Sequence, residues 1–305
     1  MKILVLGSKS FMGRTFCRYA QATGHHVFGW NRPEWNLNDE TQFPVEAALQ
    51  DGFAHVVNYA ALNMVAESWT YAADYYRTNV VGIARLGECL LRNRSRLARF
   101  VQFSTPEVYG TTESFIKEGA VFNPSTPYAI SRAAGDWHLS VLNRVHDLPV
   151  CFTRTVNVYG EGQQLYRIIP KTALACIRGE TLRLDGGGVS TRSFIHAMDV
   201  AAATMRVLTD GRPGETYHIA HPKQVRIRDL VRTVCEKMGK RLEDVAVDAP
   251  DRPGKDMNYQ LDDSKIRHEL GWCQTIDLAE GLDGVIRWIQ TDHRELKGER
   301  YVHVA

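Results

Sequence analysis

The chain has 305 residues, 44% of them apolar and 24% charged, which is the composition of a globular protein large enough for two domains or one large α/β unit. Its 37 basic and 35 acidic residues leave a net charge of +2, which argues against nucleic acid or a membrane surface as the main partner. No run approaches the roughly 20 apolar residues of a membrane span, and the six cysteines are scattered as in proteins of a reducing compartment, so we expect a cytoplasmic protein.

Short apolar strands alternate with helical patterns through the first half of the chain. Strands are predicted at 2–6, 26–30, 55–60, 100–104 and 150–156, and helices at 11–22, 74–92 and 128–145. Strands that alternate with helices need crossover connections, and crossovers build a parallel sheet that is covered on both faces. The sequence therefore predicts an α/β fold with a doubly wound parallel sheet.

The second half of the chain is less regular. It contains helical patterns at 199–208 and 281–290, turn-rich segments at 158–162 and 185–192, and a loop rich in proline, glycine and charge at 248–259. No repeat and no linker-like change of composition separates it from the first half. We therefore expect the two parts to be interleaved along the chain.

A glycine-rich turn, from Gly7 to Gly13, joins the first predicted strand to the first predicted helix. In this position the backbone N–H groups and the amino end of the helix can bind a pyrophosphate, which indicates a dinucleotide cofactor. Gly7 would permit the turn and Gly13 the close packing of the helix, whereas Ser10 stands where a middle glycine is usual. The expected cofactor contacts are Gly7, Ser10, Phe11, Met12 and Gly13, and a plain turn is the alternative.

The end of the second predicted strand bears on cofactor choice. An acid at this place binds the ribose 2′-hydroxyl and repels a 2′-phosphate, but here the strand ends in Asn31-Arg32. A guanidinium matches phosphate oxygens, so Arg32 favours NADP, with Asn31 as a second contact. NAD stays possible, because Arg32 also fits a solvated loop.

A tyrosine and an arginine share one face of the helix predicted at 128–145. Tyr128 and Arg132 are four residues apart, so their side chains are neighbours. A cation in that place stabilises a phenolate, and we expect it to lower the pKa of Tyr128 from its usual value of about 10. A tyrosine tuned in this way can take a proton from a sugar hydroxyl while hydride leaves the same carbon.

Several further motifs follow one another in an order that is typical of one family. They are Asn58-Tyr59-Ala60-Ala61, Thr78-Asn79-Val80-Val81-Gly82, Ser104-Thr105-Pro106-Glu107-Val108-Tyr109-Gly110, Asn157-Val158-Tyr159-Gly160, Arg192-Ser193-Phe194-Ile195-His196 with Asp199, Asp251-Arg252-Pro253-Gly254-Lys255-Asp256 and Leu261-Asp262-Asp263-Ser264-Lys265-Ile266. With the glycine turn and the tyrosine helix, they make nearly the whole chain resemble the extended short-chain dehydrogenase/reductases of the nucleotide-sugar 4,6-dehydratase, epimerase and decarboxylase group. The end of the second strand is similar to that of GDP-mannose 4,6-dehydratases that use NADP.

The resemblance implies a Rossmann-like doubly wound sheet with a smaller, interleaved carboxyl-terminal part that binds the substrate. The dinucleotide-binding domain would comprise 1–157 and about 192–211, and the substrate part 158–191 and 212–305. The resemblance further implies NADP or NAD as cofactor, a nucleotide-diphosphate sugar as substrate and a homodimer as the assembly.

The resemblance also implies roles for the catalytic residues. Tyr128 would be the base for the sugar C4 hydroxyl, and Thr105 would hydrogen-bond to that hydroxyl and to the developing ketone. Glu107 would remove the C5 proton and return it to the departing C6 hydroxyl. Plain epimerases of this group usually carry a small residue there, so Glu107 favours dehydratase or decarboxylase chemistry.

The other family motifs imply binding residues. The expected cofactor contacts, besides those of the glycine turn and Asn31-Arg32, are Ala60, Ala61, Asn79, Ser104, Tyr128 and Arg132. The expected contacts to the diphosphate are Asn157, Arg192 and Arg252.

The chain departs from the family pattern at two catalytic positions. The family's helix normally reads Tyr-x-x-x-Lys, and here the last position is Arg132, which keeps the charge but has a rigid fork and a different reach. Many dehydratases carry an Asp before the Glu as general acid, and here that position is Pro106. GDP-mannose-type dehydratases also lack this Asp and use the Glu for both steps.

Two patterns have a plainer interpretation. His218 and His221 form an HxxH pair, but Pro222 follows and no acidic cluster is near, so we expect a turn and no metal site. The stripe Val80, Ile83, Ala84, Gly87, Leu90 and Leu91 has helical spacing. It suits either a partner subunit or the ordinary core.

The leading hypothesis is a nucleotide-sugar 4,6-dehydratase, a lyase that oxidises C4, eliminates water across C5 and C6 and returns hydride to C6 with a tightly bound NAD(P). The alternatives within the family are an epimerase, a decarboxylase and a 4-keto reductase. The alternative from another class is a non-catalytic NAD(P)-binding regulator or scaffold.

Overall fold

The structure is a computed structural model, and it describes residues 1–112, 114–250 and 260–292. Arg252 lies outside the described residues, as does most of the loop predicted at 248–259, so the expected diphosphate contact of Arg252 stays a prediction. Among the residues that are described, no helix combines the length and the apolar character needed to cross a membrane.

Six strands form one large sheet, and the other described strands form small ones. The large sheet contains β1 (Lys2–Leu6), β2 (His26–Trp30), β3 (His55–Asn58), β4 (Arg99–Phe103), β6 (Val150–Thr155) and β10 (Thr216–Ile219). The small sheets contain β5 (Phe115–Ile116), β7 (Asn157–Tyr159), β8 (Leu182–Asp185), β9 (Thr191–His196), β11 (Gln224–Arg226), β12 (Ala246–Ala249) and β13 (Gln260–Leu261).

Helices cover both faces of the large sheet and build most of the second half of the chain. They are α1 (Phe11–Ala22), α2 (Phe43–Gln50), α3 (Val65–Ser68), α4 (Ala72–Tyr76), α5 (Ile83–Arg92), α6 (Pro127–His146), α7 (Ile168–Arg178), α8 (Ala197–Asp210), α9 (Ile227–Lys237), α10 (Leu242–Val245), α11 (Ser264–Leu270) and α12 (Leu278–Asp292). A π-helical segment, Arg77–Gly82, joins α4 to α5, so the helix predicted at 74–92 is continuous but contains a wider turn.

The large sheet has the strand order β10-β6-β4-β3-β1-β2, and all its pairings are parallel. The carboxyl ends of its strands therefore meet at one edge of the sheet. The chain leaves β1 toward β2 on one side and returns through β3 on the other, so the strand order reverses beside β1. Ligands of open α/β sheets bind at such a switch point, outside the carboxyl ends of the strands.

Alternate side chains of each central strand pack on opposite faces of the large sheet. Ile3 and Val5 of β1 point to the face covered by α1 and α8, and they are fully buried there. Leu4 and Leu6 point to the face covered by α2, α5 and α6. Strands buried on both faces read as continuous apolar runs, and for this reason the sequence predicted them well.

The second half of the chain packs around its own cluster of apolar residues. Helices α7, α9 and α12 meet there through side chains such as Ile169, Leu230 and Val285. A three-stranded sheet in the order β11-β9-β7 lies beside them. The predicted division into two domains stays a prediction, and the large sheet takes its sixth strand, β10, from the range assigned to the substrate part.

The structure confirms the predicted α/β doubly wound sheet and shows where the prediction of elements was incomplete. The bounds of β1, α1 and β2 match the prediction, and β3 and β6 end earlier than expected. The segments 158–162 and 185–192, predicted as turns, contain parts of β7, β8 and β9. Only two residues of β7, one of β8 and two of β9 fall within these segments, too few for a periodic signal there.

Candidate active site

The glycine turn between β1 and α1 is packed so tightly that Gly7 and Gly13 have no room for a side chain. Gly7 has φ +75, and a Cβ there would lie 2.8 Å from the backbone nitrogen of Ala60. A Cβ on Gly13 would overlap the carbonyl oxygen of Gly7. The turn thus brings its backbone close to β3 and to α1, and this narrow cradle suits a pyrophosphate at the amino end of α1.

Ser10, where a glycine is usual, has a structural role of its own. Its φ of −66 and ψ of 163 are ordinary extended values, so the position does not require glycine. Its hydroxyl accepts a hydrogen bond from the backbone N–H of Gly13 at 3.1 Å and caps α1. Phe11 and Met12 form the first turn of α1 and are buried, with backbone N–H groups at the helix end.

Asn31 at the end of β2 is fastened to the glycine turn. Its side-chain nitrogen donates to the hydroxyl of Ser8 at 2.7 Å, and its side-chain oxygen accepts from the backbone N–H of Lys9. Asn31 is therefore used to hold the turn, and it brings the Lys9 backbone beside the end of β2. Arg32 follows directly, so two basic residues lie near the place where a 2′-substituent of a cofactor is expected. Sequence reasoning missed Lys9.

A cavity of about 710 Å³ borders the glycine turn and the end of β2. It is lined by Ser8, Lys9, Phe11, Arg14, Thr15, Cys17, Arg18, Gln21, Val27, Gly29, Asn31, Glu161, Gly162, Trp288 and Asp292. Arg14 links two walls of this cavity, because its guanidinium donates to the carbonyls of Lys9 at 2.7 Å and Gly162 at 2.9 Å. The size of the cavity is in the range of small-molecule sites.

Asn79, predicted as a cofactor contact, holds two backbone segments together. It is 2% exposed and lies in the π-helical segment. Its side chain accepts from the backbone N–H of Leu62 at 3.0 Å and donates to the carbonyl of Leu62 at 2.9 Å and to the hydroxyl of Ser131 at 3.0 Å. It therefore fastens the segment after β3, with Ala60 and Ala61, to the helix that carries Tyr128.

Tyr128 lies buried at the start of α6, next to the end of β4. The Thr105 side chain and the positive charge of Arg132 both act on the Tyr128 hydroxyl and favour its ionised form. Arg132 is 6% exposed, and its guanidinium donates to the carbonyl oxygen of Phe103, the last residue of β4. The structure thus brings together Tyr128, Arg132 and Thr105 as predicted.

The prediction that the pKa of Tyr128 is lowered is wrong, because in the structure this pKa is raised. Burial raises the pKa of Tyr128 above its ordinary value of 10.0, and this effect exceeds the lowering by Arg132 and by the Thr105 hydrogen bond. The negative charge of Glu107 raises the pKa further, and the positive charge of Arg167 lowers it. The sequence shows the partner at i+4 but not the burial, and burial decides the sign.

Glu107 belongs to a short helical turn, Pro106–Tyr109, that follows β4. Its backbone N–H donates to the Thr105 hydroxyl at 3.3 Å, which caps the turn. Pro106 fills the first position of the turn, where the missing N–H has no cost. The effect of Glu107 on the Tyr128 pKa places both groups in one electrostatic site.

Ser104, predicted as a cofactor contact, donates its hydroxyl to the carboxylate of Asp136 at 2.7 Å. Of the predicted diphosphate contacts, Asn157 begins β7 and donates to the carbonyl of Ser193 at 3.2 Å, and Arg192 lies in the neighbouring β9. The structure therefore places Asn157 and Arg192 in one small sheet.

Sequence reasoning missed Arg167, a cation at the start of α7. Its charge acts on Tyr128, but no motif in the sequence distinguished it.

His218 lies in β10 of the large sheet, so the predicted turn at this residue is wrong. The residue is fully buried, with its ring nitrogens 2.9 Å from the Tyr109 hydroxyl and 3.2 Å from the carbonyl of Asp262. Burial lowers the pKa of His218 from 6.5 to about 3, so the ring is neutral at neutral pH. Pro222 suggested a turn, but it follows the end of the strand.

The stripe predicted on the helix around residues 80–91 faces inward for the most part. Ile83, Gly87 and Leu90 are buried, and a Cβ on Gly87 would contact Leu139 and Leu142 of α6. These residues therefore belong to the core between α5 and α6. Of the two interpretations that the sequence left open, a partner subunit or the ordinary core, they fit the core.

Comparison with known proteins identifies the family and the proteins that the chain resembles. Residues 3–220 match the family model described as the NAD dependent epimerase/dehydratase family. The chain is 36% identical to a dTDP-glucose 4,6-dehydratase of Streptomyces niveus, over 94% of this chain and 92% of that protein. It is 30% identical to a dTDP-glucose 4,6-dehydratase of Escherichia coli, over 94% and 93% of the two chains. The crystal structure of a dTDP-glucose 4,6-dehydratase from Streptomyces venezuelae with NAD and TYD bound superposes with a TM-score of 0.88 at 29% identity, covering 97% of this chain and 98% of the other.

Proposed function

This chain belongs to the NAD dependent epimerase/dehydratase family, and from that membership we propose that it is a nucleotide-sugar 4,6-dehydratase that acts with a bound NAD(P). The observation that carries the proposal is that the buried Tyr128 and Thr105 and the partly exposed Glu107 lie beyond the carboxyl end of β4, where the charge of Glu107 acts on Tyr128. Similarity to dehydratases along nearly the whole chain supports it.

The residues around the glycine turn fit a dinucleotide. The tight approach of Gly7 to Ala60 and the capped amino end of α1 leave backbone N–H groups for a pyrophosphate. When bound, the nicotinamide accepts a hydride from the sugar and gives it back, so the reaction has no net redox change. The chain's own part is to bind the sugar against it and to move protons.

Tyr128 is the base of the first step. Its phenolate oxygen takes the proton of the C4 hydroxyl as C4 loses its hydride and becomes a ketone. The Thr105 hydroxyl, in contact with that of Tyr128, donates to the same oxygen. Arg132 supplies the positive charge that favours the phenolate and offsets part of the effect of burial on its pKa.

Glu107 is the base and the acid of the second step. The C4 ketone acidifies the C5–H bond, and the Glu107 carboxylate takes that proton. The same proton goes to the C6 hydroxyl, the C6–O bond breaks and water leaves. Hydride then returns to C6 and a proton from solvent is added at C5, while Tyr128 gives up the C4 hydroxyl proton to solvent. The result is that C4 is oxidised, C6 is reduced and one water is lost. Pro106 offers no acid beside Glu107, and this is why Glu107 serves both transfers.

Replacement of one carboxylate tests the proposal. Wild-type protein incubated with dTDP-glucose, UDP-glucose or GDP-mannose is expected to give a product that has lost one water, and Glu107→Gln is expected to slow its formation by about 10²–10⁴-fold. Glu215→Gln serves as the control, because the Glu215 side chain is 41% exposed and pairs with Lys265. Loss of water at the wild-type rate in Glu107→Gln, or no loss of water by the wild type from any of the three sugars, would refute the proposal.

We propose further that the cofactor is NADP. Asn31 carries no charge that would repel a 2′-phosphate, and Lys9 and Arg32 stand beside it. Mass spectrometry of the purified protein is expected to release NADP, and Asn31→Asp is expected to shift the ratio of NADP to NAD affinity by at least about tenfold toward NAD. Lys240→Ala, an exposed lysine after α9, is the control. Release of NAD alone from the wild type would contradict the assignment.

We also propose a homodimer. Ile130, Trp137, Val141 and Val145 form an exposed stripe along α6, with 44–65% of each residue accessible. Such a stripe of apolar residues along one helix is typical of a subunit contact. Val145→Glu is expected to give monomers in light scattering, whereas Val247→Glu, at an exposed valine of β12, should leave the dimer intact. A monomeric wild type would contradict this.

A cytoplasmic site of action is part of the proposal. All six cysteines are free thiols, which suits a reducing compartment.

A further inference from the structure

The turn that carries Glu107 is anchored at its far end by Tyr109. The ring of Tyr109 is 4% exposed, and its hydroxyl lies 2.9 Å from Nη1 of Arg154 and 2.9 Å from Nε2 of His218. It also lies 3.2 Å from the carbonyl oxygen of Glu118. None of these partners was marked by the sequence as part of a site.

The direction of these hydrogen bonds follows from the groups involved. Arg154 can only donate, so the hydroxyl of Tyr109 accepts from it. Nδ1 of His218 faces the carbonyl of Asp262 at 3.2 Å and must carry the ring proton, which leaves Nε2 as the acceptor of the Tyr109 proton. The neutral state of His218 at neutral pH agrees with this arrangement.

Arg154 connects Tyr109 to the other end of the same segment. Its Nη2 binds the carboxylate of Asp136 at 2.7 Å, and the same carboxylate oxygen accepts from the Ser104 hydroxyl at 2.7 Å. The guanidinium lies over the adjoining rings of Tyr109 and Phe122, 5.2 Å and 4.8 Å from their centres. One buried cation thus holds both ends of the segment 104–109.

The same cation also binds the helix of the first catalytic residue. Asp136 belongs to α6, eight residues after Tyr128, which is about two helical turns. The side chains of Asp136 and Arg154 are 2% and 3% exposed, so water does not weaken their contact. The Glu107 segment and the Tyr128 helix are therefore held to each other through Arg154.

From these contacts we infer that Tyr109, held by Arg154 and His218, is a positioning residue for Glu107. Its hydroxyl fixes the turn 106–109 so that the Glu107 carboxylate meets C5 and C6 of a sugar whose C4 lies at Tyr128. Tyr128 does not depend on this anchor, because α6 holds it, and Thr105 lies at the opposite end of the turn from the Tyr109 hydroxyl. Loss of the Tyr109 hydroxyl therefore impairs the step of Glu107 and spares the step of Tyr128.

The inference rests on the proposed function, and the test separates the two steps. Tyr109→Phe keeps the ring that contacts the Arg154 guanidinium and removes only the hydroxyl. In single-turnover experiments, the absorbance of reduced nicotinamide reports C4 oxidation, and loss of water in D₂O with deuterium at C5 reports elimination. For Tyr109→Phe we expect C4 oxidation at the wild-type rate, elimination slower by about ten- to a hundredfold, and a transient build-up of reduced cofactor.

Three further variants make the outcome decisive. Glu107→Gln should show the same build-up in stronger form, and if it does not, the proposed function fails. Tyr217→Phe removes another buried tyrosine hydroxyl, bonded to Arg212 and Glu269, and should leave both steps unchanged. His218→Phe removes the acceptor of the Tyr109 proton and should slow elimination alone. This variant tests the inference even if Tyr109→Phe does not fold. Equal slowing of both steps in Tyr109→Phe, no slowing of either, or the same partition in Tyr217→Phe would overturn the inference.

Discussion

Replacement of Asp136 by Asn removes the negative partner of the buried cation Arg154 and keeps the shape of the side chain. Removal of one partner from a buried ion pair costs about 3–5 kcal/mol, because the other charge stays behind without compensation. Arg154 retains its contacts with the rings of Tyr109 and Phe122, so we expect the lower end, about 3 kcal/mol.

An exposed pair of equal length supplies the control. Asp229 and Arg232 are joined at 2.7 Å on α9, the same distance as Asp136 and Arg154, but their side chains are 52% and 43% exposed. Asp229→Asn should cost about 0.5 kcal/mol, the value of a solvated pair. Both variants are compared with the wild type by urea unfolding, with the same slope of unfolding free energy against urea concentration for all three proteins. A cost below about 1 kcal/mol for Asp136→Asn would refute the reasoning that burial sets the strength of this pair.

Three other changes probe different contacts. Asn79→Ala removes three buried hydrogen bonds and should cost about 3 kcal/mol in urea unfolding, and a cost near zero would mean that water replaces them. Gly135→Ala places a Cβ 2.6 Å from the carbonyl of Asn79 and should cost about 1–3 kcal/mol. Gly87→Ala should cost less, because its Cβ meets only side chains, two of leucine and one of histidine, which can move. The reverse order would contradict this. The pKa of His218 falls from 6.5 to about 3 on folding, so its contribution to stability is complete above pH 6.5 and is lost toward pH 3 at about 1.4 kcal/mol per pH unit. His218→Phe should flatten the acid side of the curve of unfolding free energy against pH, and an unchanged slope would contradict the assignment.

The elements that the sequence predicted are those with a strong local signal. The run Lys2–Leu6, the helix that ends before Gly24 and the run His26–Trp30 have apolar periodicity and a clear stop, and the structure gives them the same bounds. Gln224–Arg226 forms a strand because β9 lies beside it. A short strand of this kind forms because it pairs with a neighbouring strand, and a single sequence does not show which strand that is.

The residues of the site also fall into those that the sequence predicted and those that it did not. Tyr128 and Arg132 are neighbours on one helix, so their spacing predicted their contact. The sign of the Tyr128 pKa shift depends on burial by several segments, and the prediction was wrong there. Asp136, Arg154 and His218 come from α6, β6 and β10, so only the assembled sheet brings them together.

The position of β10 in the large sheet affects the order in which the chain can fold during synthesis. β6 ends at Thr155, but the strand that covers its free edge begins at Thr216. Ribosomes add about 5–20 residues per second, so a nascent chain shows this edge for several seconds before its partner emerges. An uncovered strand edge pairs readily with other chains. We therefore expect fragments that end between these two strands to aggregate during expression, while the full chain stays monodisperse.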